Sequence, residues 1–596
     1  MIAARRLQRS FADGLIAEAV EDLWEPWMRY PDQALEDETL LLIIQQELAK
    51  RCKKSKTRGR RATSAEVVLR MMLLKHVRDW SYEELSREVR ANLVYREFTR
   101  IGGDKVPDDK TMGRLGRQLG PEVVAKLHDR VVAIARENRV ATGRKMRVDT
   151  TVVETNIHYP TDSSLLGDGV RVLTRVMKKV SAVAGTAGTK LRDRTRSVKL
   201  RVLAIARASR NKTEKGQQKL KQAYGKLLET TSRVVGQAKQ FSQEIAQKVK
   251  RGDRAILRKA KKQLDEMIPR VQQVMRQARQ RVMNGNTHVP GKLLSVFETC
   301  TEVIRKGKTS KPNEFGKLVK IQEAENQIIT HYEVCAQRPA DSTLLVPSLE
   351  EHVRQFGRVP EVVAADPGFF SAANEAKAEE MGVRRVSIPS HATKSPARKQ
   401  RQKQRWFKKL QKWRTGCEGR ISVLKSRHGL ERSRYKGLDG VKRFVGLGVI
   451  ADNVIHIGST EVPLQTSGRF VLSLVVGLIG GIYGIGGAAI ISPFLVAIYG
   501  LPVYTVAGAT LLGTFVTSLA GVSFYQLIAP LYQASGMAVA PNWTLGLSFG
   551  VGGMAGMYLG ARVQRFVPAT YLKILLALIM FGVSISYVGG YLLSPR

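Results

Sequence analysis

Acidic residues are scarce in this chain of 596 residues, in which 97 Lys and Arg stand against 52 Asp and Glu and leave a formal net charge of +45. That excess is too large for an ordinary soluble enzyme. The cations are spread from Arg5 to Lys442 rather than confined to a tail. Clustered Lys and Arg on a folded surface neutralise phosphates and release counterions. The composition therefore predicts a polyanionic partner, with a ribosome-like basic protein as the alternative.

Cysteine is also rare, and the four residues present have no paired spacing: Cys52, Cys300, Cys335 and Cys417. This pattern indicates neither a zinc site nor a disulfide framework, and it fits a reducing cytosolic compartment. The segment Met1–Gly14 contains three Arg but no apolar run of signal length. We therefore expect no cleavable export signal.

Asp and Glu are absent between Gln465 and Arg596, where the only charged residues are Arg469, Arg562, Arg565, Lys573 and Arg596. The apolar stretches of this region are Phe470–Tyr499, Val503–Ile528, Leu545–Ala561 and Tyr571–Leu592. The second and fourth are long enough, as helices, to cross a hydrocarbon core of about 30 Å. The sequence thus predicts an all-α transmembrane part at 466–596, embedded in a lipid bilayer.

A helical module is predicted from Ala62 to Gly120. Ser81 stands three residues before Glu84 and forms a capping-box pattern for one helix. A further helix is predicted to begin near Asp109 and to carry two basic residues, Arg114 and Arg117. Short basic helices at this spacing are typical of a helix-turn-helix, although small helical bundles share the pattern. We predict a helical DNA-binding region at 1–135, with Arg114 and Arg117 as DNA contacts.

Strand and helix signals alternate after residue 140 and predict an α/β domain with a mixed sheet at 140–460. The region from about 165 to 310 interrupts it, because Leu165–Gln280 has basic helical periodicity and no convincing strand. The expected strands are Arg144–Asn156, Leu318–Ile321, Gln327–Cys335, Glu361–Ala365 and Arg384–Ile388. The expected helices are Leu345–Phe356, Ser371–Met381 and a very basic one at Lys403–Arg427.

Three carboxylates stand where a two-metal nuclease needs them: Asp149 in a strand, Asp366 at the end of another, and Glu418 on the basic helix. Each has an ordinary alternative: a strand-edge residue, a plain turn, and a helix pair with Arg414. Their joint context favours chemistry, because Arg414, Glu418 and Lys425 share one helix face. Paired carboxylates hold Mg²⁺ ions about 4 Å apart in phosphodiester cleavage, and nearby cations bind phosphate.

These motifs resemble the DDE transposases of bacterial insertion sequences over about Arg60 to Ile457. The related branch carries a Tyr-x2-Arg-x3-Glu-x6-Lys signature, which Arg414, Glu418 and Lys425 match, with Gln411 in the tyrosine position. The run Asp366-Pro367-Gly368-Phe369 approximates the Asp-x-Gly-aromatic motif of the second aspartate, with Pro367 where Arg is frequent. The residues that follow Glu418 and those that follow Asp149 are also similar to the sequences of this family.

The resemblance implies a ribonuclease-H-like catalytic domain in which Asp149, Asp366 and Glu418 bind Mg²⁺ (or Mn²⁺). It implies hydrolysis at the ends of the element and strand transfer by the released 3′-hydroxyls. Arg414 and Lys425 are then expected to hold the DNA backbone near the scissile phosphate. The implied partners are transposon-end and target DNA, together with further copies of the chain on that DNA.

The apolar end resembles the sulfite-exporter (TauE/SafE-like) transporters, which move small sulfur-containing anions. The likeness rests on a glycine motif that includes Gly480, Gly484, Gly486 and Gly487, and it covers about one of the family's two repeats. The positive-inside rule, applied to Arg562 and Lys573, leaves two topologies open, and only a re-entrant fold at the glycines returns the basic domain to the cytoplasm. We expect a cell-membrane chimera that transposes DNA; the alternative is an exporter-family protein with an inactive transposase portion.

Overall fold

The computed structural model describes residues 2–5, 13, 20–50, 62–184, 191–211, 213–251, 255–286, 288–305, 312–459, 503–532 and 541–564. The chain divides into two compact units, Met1–Val462 and Pro463–Arg596. The first unit holds a helical module, a mixed sheet with its covering helices, and a helical insertion.

The helical module precedes the sheet and has one continuous apolar core. Its helices are α1 (Pro26–Ala34), α2 (Glu38–Ala49), α3 (Ala65–Val77), α4 (Tyr82–Ala91), α5 (Leu93–Phe98), α6 (Asp109–Gln118) and α7 (Pro121–Glu137). The predicted capping box is present, because Ser81 accepts from the Glu84 amide and the Glu84 carboxylate accepts from the Ser81 amide. Asp108 caps α6 by accepting from the Thr111 amide, so the helix predicted near Asp109 is confirmed.

Six strands form one mixed sheet within the described ranges. They are β1 (Lys145–Glu154), β2 (Glu302–Ile304), β3 (Glu314–Glu323), β4 (Ile329–Val334), β5 (Val362–Ala365) and β6 (Arg385–Ser387). The order is β2-β3-β1-β5-β6, and β4 also pairs with β3. β3 is antiparallel to β1 and β4, whereas β5 and β6 extend the sheet in parallel with β1. This mixed sheet with its many helices fits a ribonuclease-H-like α/β domain, as predicted.

Helices cover both faces of the sheet. They are α12 (Leu345–Phe356), α13 (Ala372–Glu380), α14 (Pro396–Lys403), α15 (Arg405–Arg427) and α16 (residues 437–459). Strand alternation sends Val148 of β1 into the core that contains α12, and Val153 into the core that contains α15 and α16. Asp149 has the same parity as Val153 and therefore faces α15.

A bundle of long helices lies between β1 and β2, where the sequence predicted a helical insertion. It consists of α8 (Asp162–Ala184), α9 (Thr195–Ala208), α10 (Glu214–Arg251) and α11 (Ala255–Val282). The bundle has its own core, which includes Leu173, Leu227 and Leu264. Apolar residues at helical spacing supply that core and leave the Lys and Arg on the outside.

The second unit is described only in part, as α17 (Val503–Tyr532) and α18 (Trp543–Gln564). Both coincide with predicted apolar stretches, and large side chains such as Phe515 and Phe549 are exposed on them. No helix in the described ranges combines the length and hydropathy needed to cross a bilayer. The helical part of the prediction is confirmed for these residues, and the membrane-spanning part is not. The stretches Phe470–Tyr499 and Tyr571–Leu592 lie outside the described residues.

Candidate active site

Two of the three predicted carboxylates lie side by side because of the sheet register. Val148 of β1 pairs with Ala365 of β5 in parallel, and Asp149 and Asp366 are the next residues on the two strands. The Asp149 side chain is largely buried and accepts a 2.7 Å hydrogen bond from the Thr150 amide. Asp366 precedes the single turn Pro367–Phe369, and its side chain is about half exposed. One carboxylate is therefore fixed in the sheet, and the other faces solvent beside it.

The third carboxylate, Glu418, arrives on α15, and one arginine on the same helix joins all three. Arg414 Nη1 lies 3.4 Å from Asp149 Oδ2 and 3.6 Å from Asp366 Oδ1. Arg414 Nη2 lies 2.9 Å from Glu418 Oε1, one turn along the helix. The pairing of Glu418 with Arg414 that the sequence offered as an alternative is thus present, but the two aspartates share it.

Arg414 is itself well buried, with 12% of its side chain exposed. Its Nε is a buried donor with no hydrogen-bond partner in the described part of the chain. A guanidinium cannot lose its charge, so it offsets the repulsion of three neighbouring carboxylates. The cluster is a site built around a cation.

A buried ion pair holds α15 against β1. Arg147 of β1 is opposite Glu323 of β3 in the sheet register, and their side chains form an ion pair with almost no exposure. The Arg147 guanidinium also donates to the Trp413 carbonyl and lies 4.9 Å from the centroid of the Trp413 indole ring. A side chain on Gly416 would meet this guanidinium, so glycine allows the close approach. Arg147 therefore fixes the helix turn that carries Arg414.

Burial also shifts the pKa of two groups behind the carboxylates. It raises the pKa of Glu323, and Arg147 opposes that shift. It raises the pKa of the Cys417 thiol well above its usual value, and the nearby Glu323 and Asp149 carboxylates add to the effect. Cys417 is consequently a neutral thiol on the buried face of α15.

Gln411, which stands where the resemblance expects tyrosine, ties α15 to the parallel half of the sheet. Its Nε2 donates to the Ser387 carbonyl at 2.7 Å and contacts Ser387 Oγ at 3.0 Å. A weaker contact at 3.5 Å reaches the carbonyl of Ala365, the residue before Asp366. Gln411 thus supplies a polar contact between the helix and the strand ends.

The remaining cations predicted as DNA contacts lie outside the carboxylate cluster. Lys425 is on α15, about 10 Å beyond Glu418 along the helix axis. Arg114 and Arg117 are exposed on α6, where they line a different cleft. The glycine-motif residues Gly480, Gly484, Gly486 and Gly487 lie outside the described residues.

Sequence reasoning did not find Arg147, Glu323 or the role of Gln411. A signal existed for the first, because Arg147 is a charged residue within a strand whose other residues are largely apolar or β-branched. A buried charge requires a partner, and only the register of β1 with β3 reveals that the partner is Glu323.

Among the described residues, no three His, Cys, Asp or Glu side chains stand in a metal-holding arrangement. The donor set is nevertheless suited to a hard cation, because Asp149, Asp366 and Glu418 supply only carboxylate oxygens. These oxygens already share a positive charge, that of Arg414. The ligand atoms that these residues offer are therefore of the type that Mg²⁺ and Mn²⁺ prefer.

Three family models match the chain: Transposase domain (DUF772) at residues 32–118, Transposase DDE domain at 374–457, and Sulfite exporter TauE/SafE at 443–587. Different parts of one chain are thus similar to transposase domains and to a sulfite-exporter domain. The two resemblances stated from the sequence are thereby confirmed. No curated protein and no solved structure matches the chain.

The transposase models divide the predicted site unevenly. The DDE match includes Arg414, Glu418 and Lys425, and the DUF772 match includes Arg114 and Arg117. Asp149 and Asp366 lie outside both matches, so their association with Glu418 rests on the geometry alone. Residues 443–457 fall in both the DDE and the exporter match. They belong to α16, which packs against the mixed sheet through Phe444 and Val449.

Proposed function

We propose that the chain up to about residue 460 is an insertion-sequence transposase that cleaves DNA at the ends of its element and joins the released 3′ ends to a target. The proposed domains are 1–135 for DNA binding, 140–460 for catalysis with an insertion at about 165–310, and 466–596 for the exporter-like part. One observation carries the proposal: three carboxylates from three separate elements contact the single guanidinium of Arg414.

Asp149, Asp366 and Glu418 would hold the divalent ions. When bound, such ions supply activation of the attacking oxygen and neutralisation of the leaving oxygen. Asp149 is fixed by the Thr150 amide and provides a rigid ligand, whereas Asp366 and Glu418 are more exposed and face the DNA side. In hydrolysis, water adds to the phosphorus, the bond to the 3′ oxygen breaks, and that oxygen leaves as the 3′-hydroxyl.

Arg414 and Lys425 are proposed to bind the DNA backbone beside the scissile phosphate. Arg414 contacts all three carboxylates, so a scissile phosphate at those carboxylates would lie beside its positive charge. Several copies of the chain would be needed on the DNA, because two element ends are joined to one target. The helical insertion between β1 and β2 would grip either the transposon ends or a second copy of the chain.

The test is metal-dependent cleavage by the full chain, purified in detergent, of DNA that includes the junctions flanking its reading frame. Glu418→Gln removes the charge and keeps the shape, and Glu380→Gln, on exposed α13, is the matched control. We expect cleavage with Mg²⁺ or Mn²⁺, a loss on the order of a thousandfold in Glu418→Gln, and no change in Glu380→Gln. Undiminished cleavage in both Glu418→Gln and Asp149→Ala would refute the carboxylate assignment.

A second candidate function rests on the exporter match at 443–587. In this reading the chain is a membrane protein that exports sulfite or an organosulfur anion, and its transposase portion is inactive. Cells that express the full chain would then retain it in the membrane fraction and release sulfite faster than cells that express the first unit alone. Equal release from both, with the full chain in the membrane, would remove this candidate.

A further inference from the structure

A basic cleft of about 700 Å³ lies between the helical module and the segment that follows the catalytic helix. One wall is α6, where Lys110, Arg114 and Arg117 recur at helical spacing on one face. The opposite wall contributes Arg434, Lys436 and Arg443. Of the cations that line this cleft, only Arg114 and Arg117 were predicted from the sequence to contact DNA, and no sequence pattern pointed to the second wall.

The cations of the cleft outnumber the acids that line it, which are Glu83, Asp108 and Asp109. Asp108 is occupied as the cap of α6, and Arg434 pairs with Asp79 at 2.8 Å. Within the described ranges, no carboxylate forms an ion pair with the exposed Lys110, Arg114, Arg117 or Lys436. Four exposed cations that form no ion pair within the described ranges, around one opening, favour an anionic ligand with several phosphates.

The floor of the cleft is rigid. Tyr82 of α4 stacks on Tyr435, with ring planes 4° apart and hydroxyls 2.8 Å apart. The buried Lys75 lies over both rings, at 5.0 and 5.1 Å from their centroids. Arg443 donates to the Gly116 carbonyl of α6 and lies over the Tyr435 ring. The two walls are therefore held at a fixed separation.

The second wall is also attached to the catalytic strand. At the end of β1, the Glu154 amide donates to the Glu431 carbonyl at 2.9 Å, and the Ser433 amide donates to the Glu154 carbonyl at 2.7 Å. Arg432 adds an ion pair with Glu154. A ligand that contacts Lys436 is thus held in a fixed relation to β1, the strand that carries Asp149.

We propose that this cleft binds the phosphate backbone of duplex DNA on both walls at once. A helix with one basic face suits a duplex groove, and the cations of the opposite wall suit the flanking backbone. The inference rests on the proposed function and deepens it. It assigns the DNA at the ends of the element a binding site formed by both the helical module and the catalytic domain. Lys436 is thus proposed to contact the DNA backbone, as Arg117 is.

The test measures binding and not cleavage. Full chain in detergent is titrated, in EDTA and at several salt concentrations, onto a labelled duplex from the DNA flanking the reading frame. Lys436→Ala and Arg117→Ala each remove an exposed cation from one wall. Lys126→Ala removes an exposed cation of α7 that does not line the cleft, and it is the matched control. Thermal melting confirms that each variant is folded.

We expect each cleft variant to bind more weakly and to lower the slope of log affinity against log salt by about 0.9, with Lys126→Ala unchanged. The double variant should lower the slope by about twice that amount. If Lys436→Ala keeps the affinity and salt slope of the wild type while Arg117→Ala binds DNA more weakly, the proposal of a shared cleft is overturned. The transposase proposal is not affected by that result. Binding as expected without cleavage in Mg²⁺ or Mn²⁺ would instead reject the catalytic proposal alone. Equal competition by duplex RNA would overturn the assignment to DNA.

Discussion

Arg414 Nη1 lies 3.4 Å from Asp149 Oδ2, although the two residues are 265 positions apart in the chain. The contact joins the centre of the sheet to the one helix that carries the third carboxylate. Because Asp366 and Glu418 contact the same guanidinium, Arg414 is the positive charge around which the acidic cluster is arranged. A divalent ion that binds these oxygens must compete with that charge.

Replacing Arg414 by Gln tests this competition. Without metal, the variant should be less stable by about 1–2 kcal/mol, because the neighbouring carboxylates lose their shared cation and each partly exposed pair contributes up to about 1 kcal/mol. It should bind Mn²⁺ more tightly than the wild type, because no guanidinium occupies the oxygens. Thermal melting and a Mn²⁺ titration measure the two effects independently of DNA cleavage.

Arg401→Gln provides the control for Arg414→Gln, because Arg401 forms an exposed pair with Glu379 on the surface. It should change neither quantity appreciably. Weaker Mn²⁺ binding by Arg414→Gln than by the wild type would show that Arg414 assists metal binding instead of opposing it.

Removing Arg147 should be among the more destabilising changes in the first unit. Arg147→Met leaves Glu323 buried without its counter-charge, which typically costs about 3–5 kcal/mol. Burial already raises the pKa of Glu323, so the carboxyl of the variant should take up a proton readily and the loss should shrink in acid. Urea unfolding at neutral and mildly acidic pH measures this.

The double variant Arg147→Met with Glu323→Met separates the pair from its parts. Because two apolar side chains leave no buried charge, it should be more stable than Arg147→Met alone. If the double variant is as unstable as Arg147→Met, the hydrogen bond to Trp413 and not the ion pair is what matters. Metal-free stability is read in every case, so the result does not depend on catalysis.

Gln411→Leu should loosen α15 from the ends of β5 and β6. The change leaves the Ser387 carbonyl without its 2.7 Å partner and should lower the free energy of unfolding by about 1–2 kcal/mol. Gln273→Leu is the control, because that amide donates to the Gly291 carbonyl at an exposed position. Urea unfolding of both variants gives the comparison, and equal losses would mean that Gln411 has no special role.

The sequence predicted the elements of the α/β domain well where periodicity was clear. The helix expected at Leu345–Phe356 has those bounds, and the strand expected at Arg144–Asn156 spans Lys145–Glu154. The strand expected at Leu318–Ile321 is much longer, at Glu314–Glu323, and it includes two buried lysines, Lys317 and Lys320. These lysines pair with Glu302 and Glu333, so a charged residue in this strand does not mark an exposed position.

The three carboxylates were chosen from motif spacing, and their roles stay a prediction. The register of the strands and the packing of α15 bring the three side chains together. Neither feature can be predicted from a single sequence when the order of the strands is unknown. Only one wall of the cleft beside α6 was predicted, because Arg114 and Arg117 share a helical period. Lys436 is brought beside them by tertiary contacts such as that between Tyr82 and Tyr435.

Lys75 makes the stability of the helical module depend on pH. Burial lowers its pKa from 10.5 to about 8, with a further contribution from Arg434, while Asp79 and Glu84 oppose the shift. Between these two values the unfolded chain binds more protons at Lys75 than the folded chain does. The contribution of Lys75 to the free energy of unfolding therefore rises with pH through that window.

Lys75→Met removes this pH dependence. The difference between the variant and the wild type therefore reports on Lys75 alone, because the cysteines and tyrosines that titrate in the same pH range are common to both proteins. Below pH 8 the variant should be more stable than the wild type by at most about 3 kcal/mol, since the wild type must bury a charge or release a proton to fold. Loss of the stacking on Tyr82 and Tyr435 reduces that difference. Near pH 10.5 the advantage should be almost gone, because Lys75 is then neutral in the folded state and about half neutral in the unfolded chain. Urea unfolding of both proteins at the two pH values checks the prediction, and a difference that does not change with pH would show that Lys75 stays charged in its buried place.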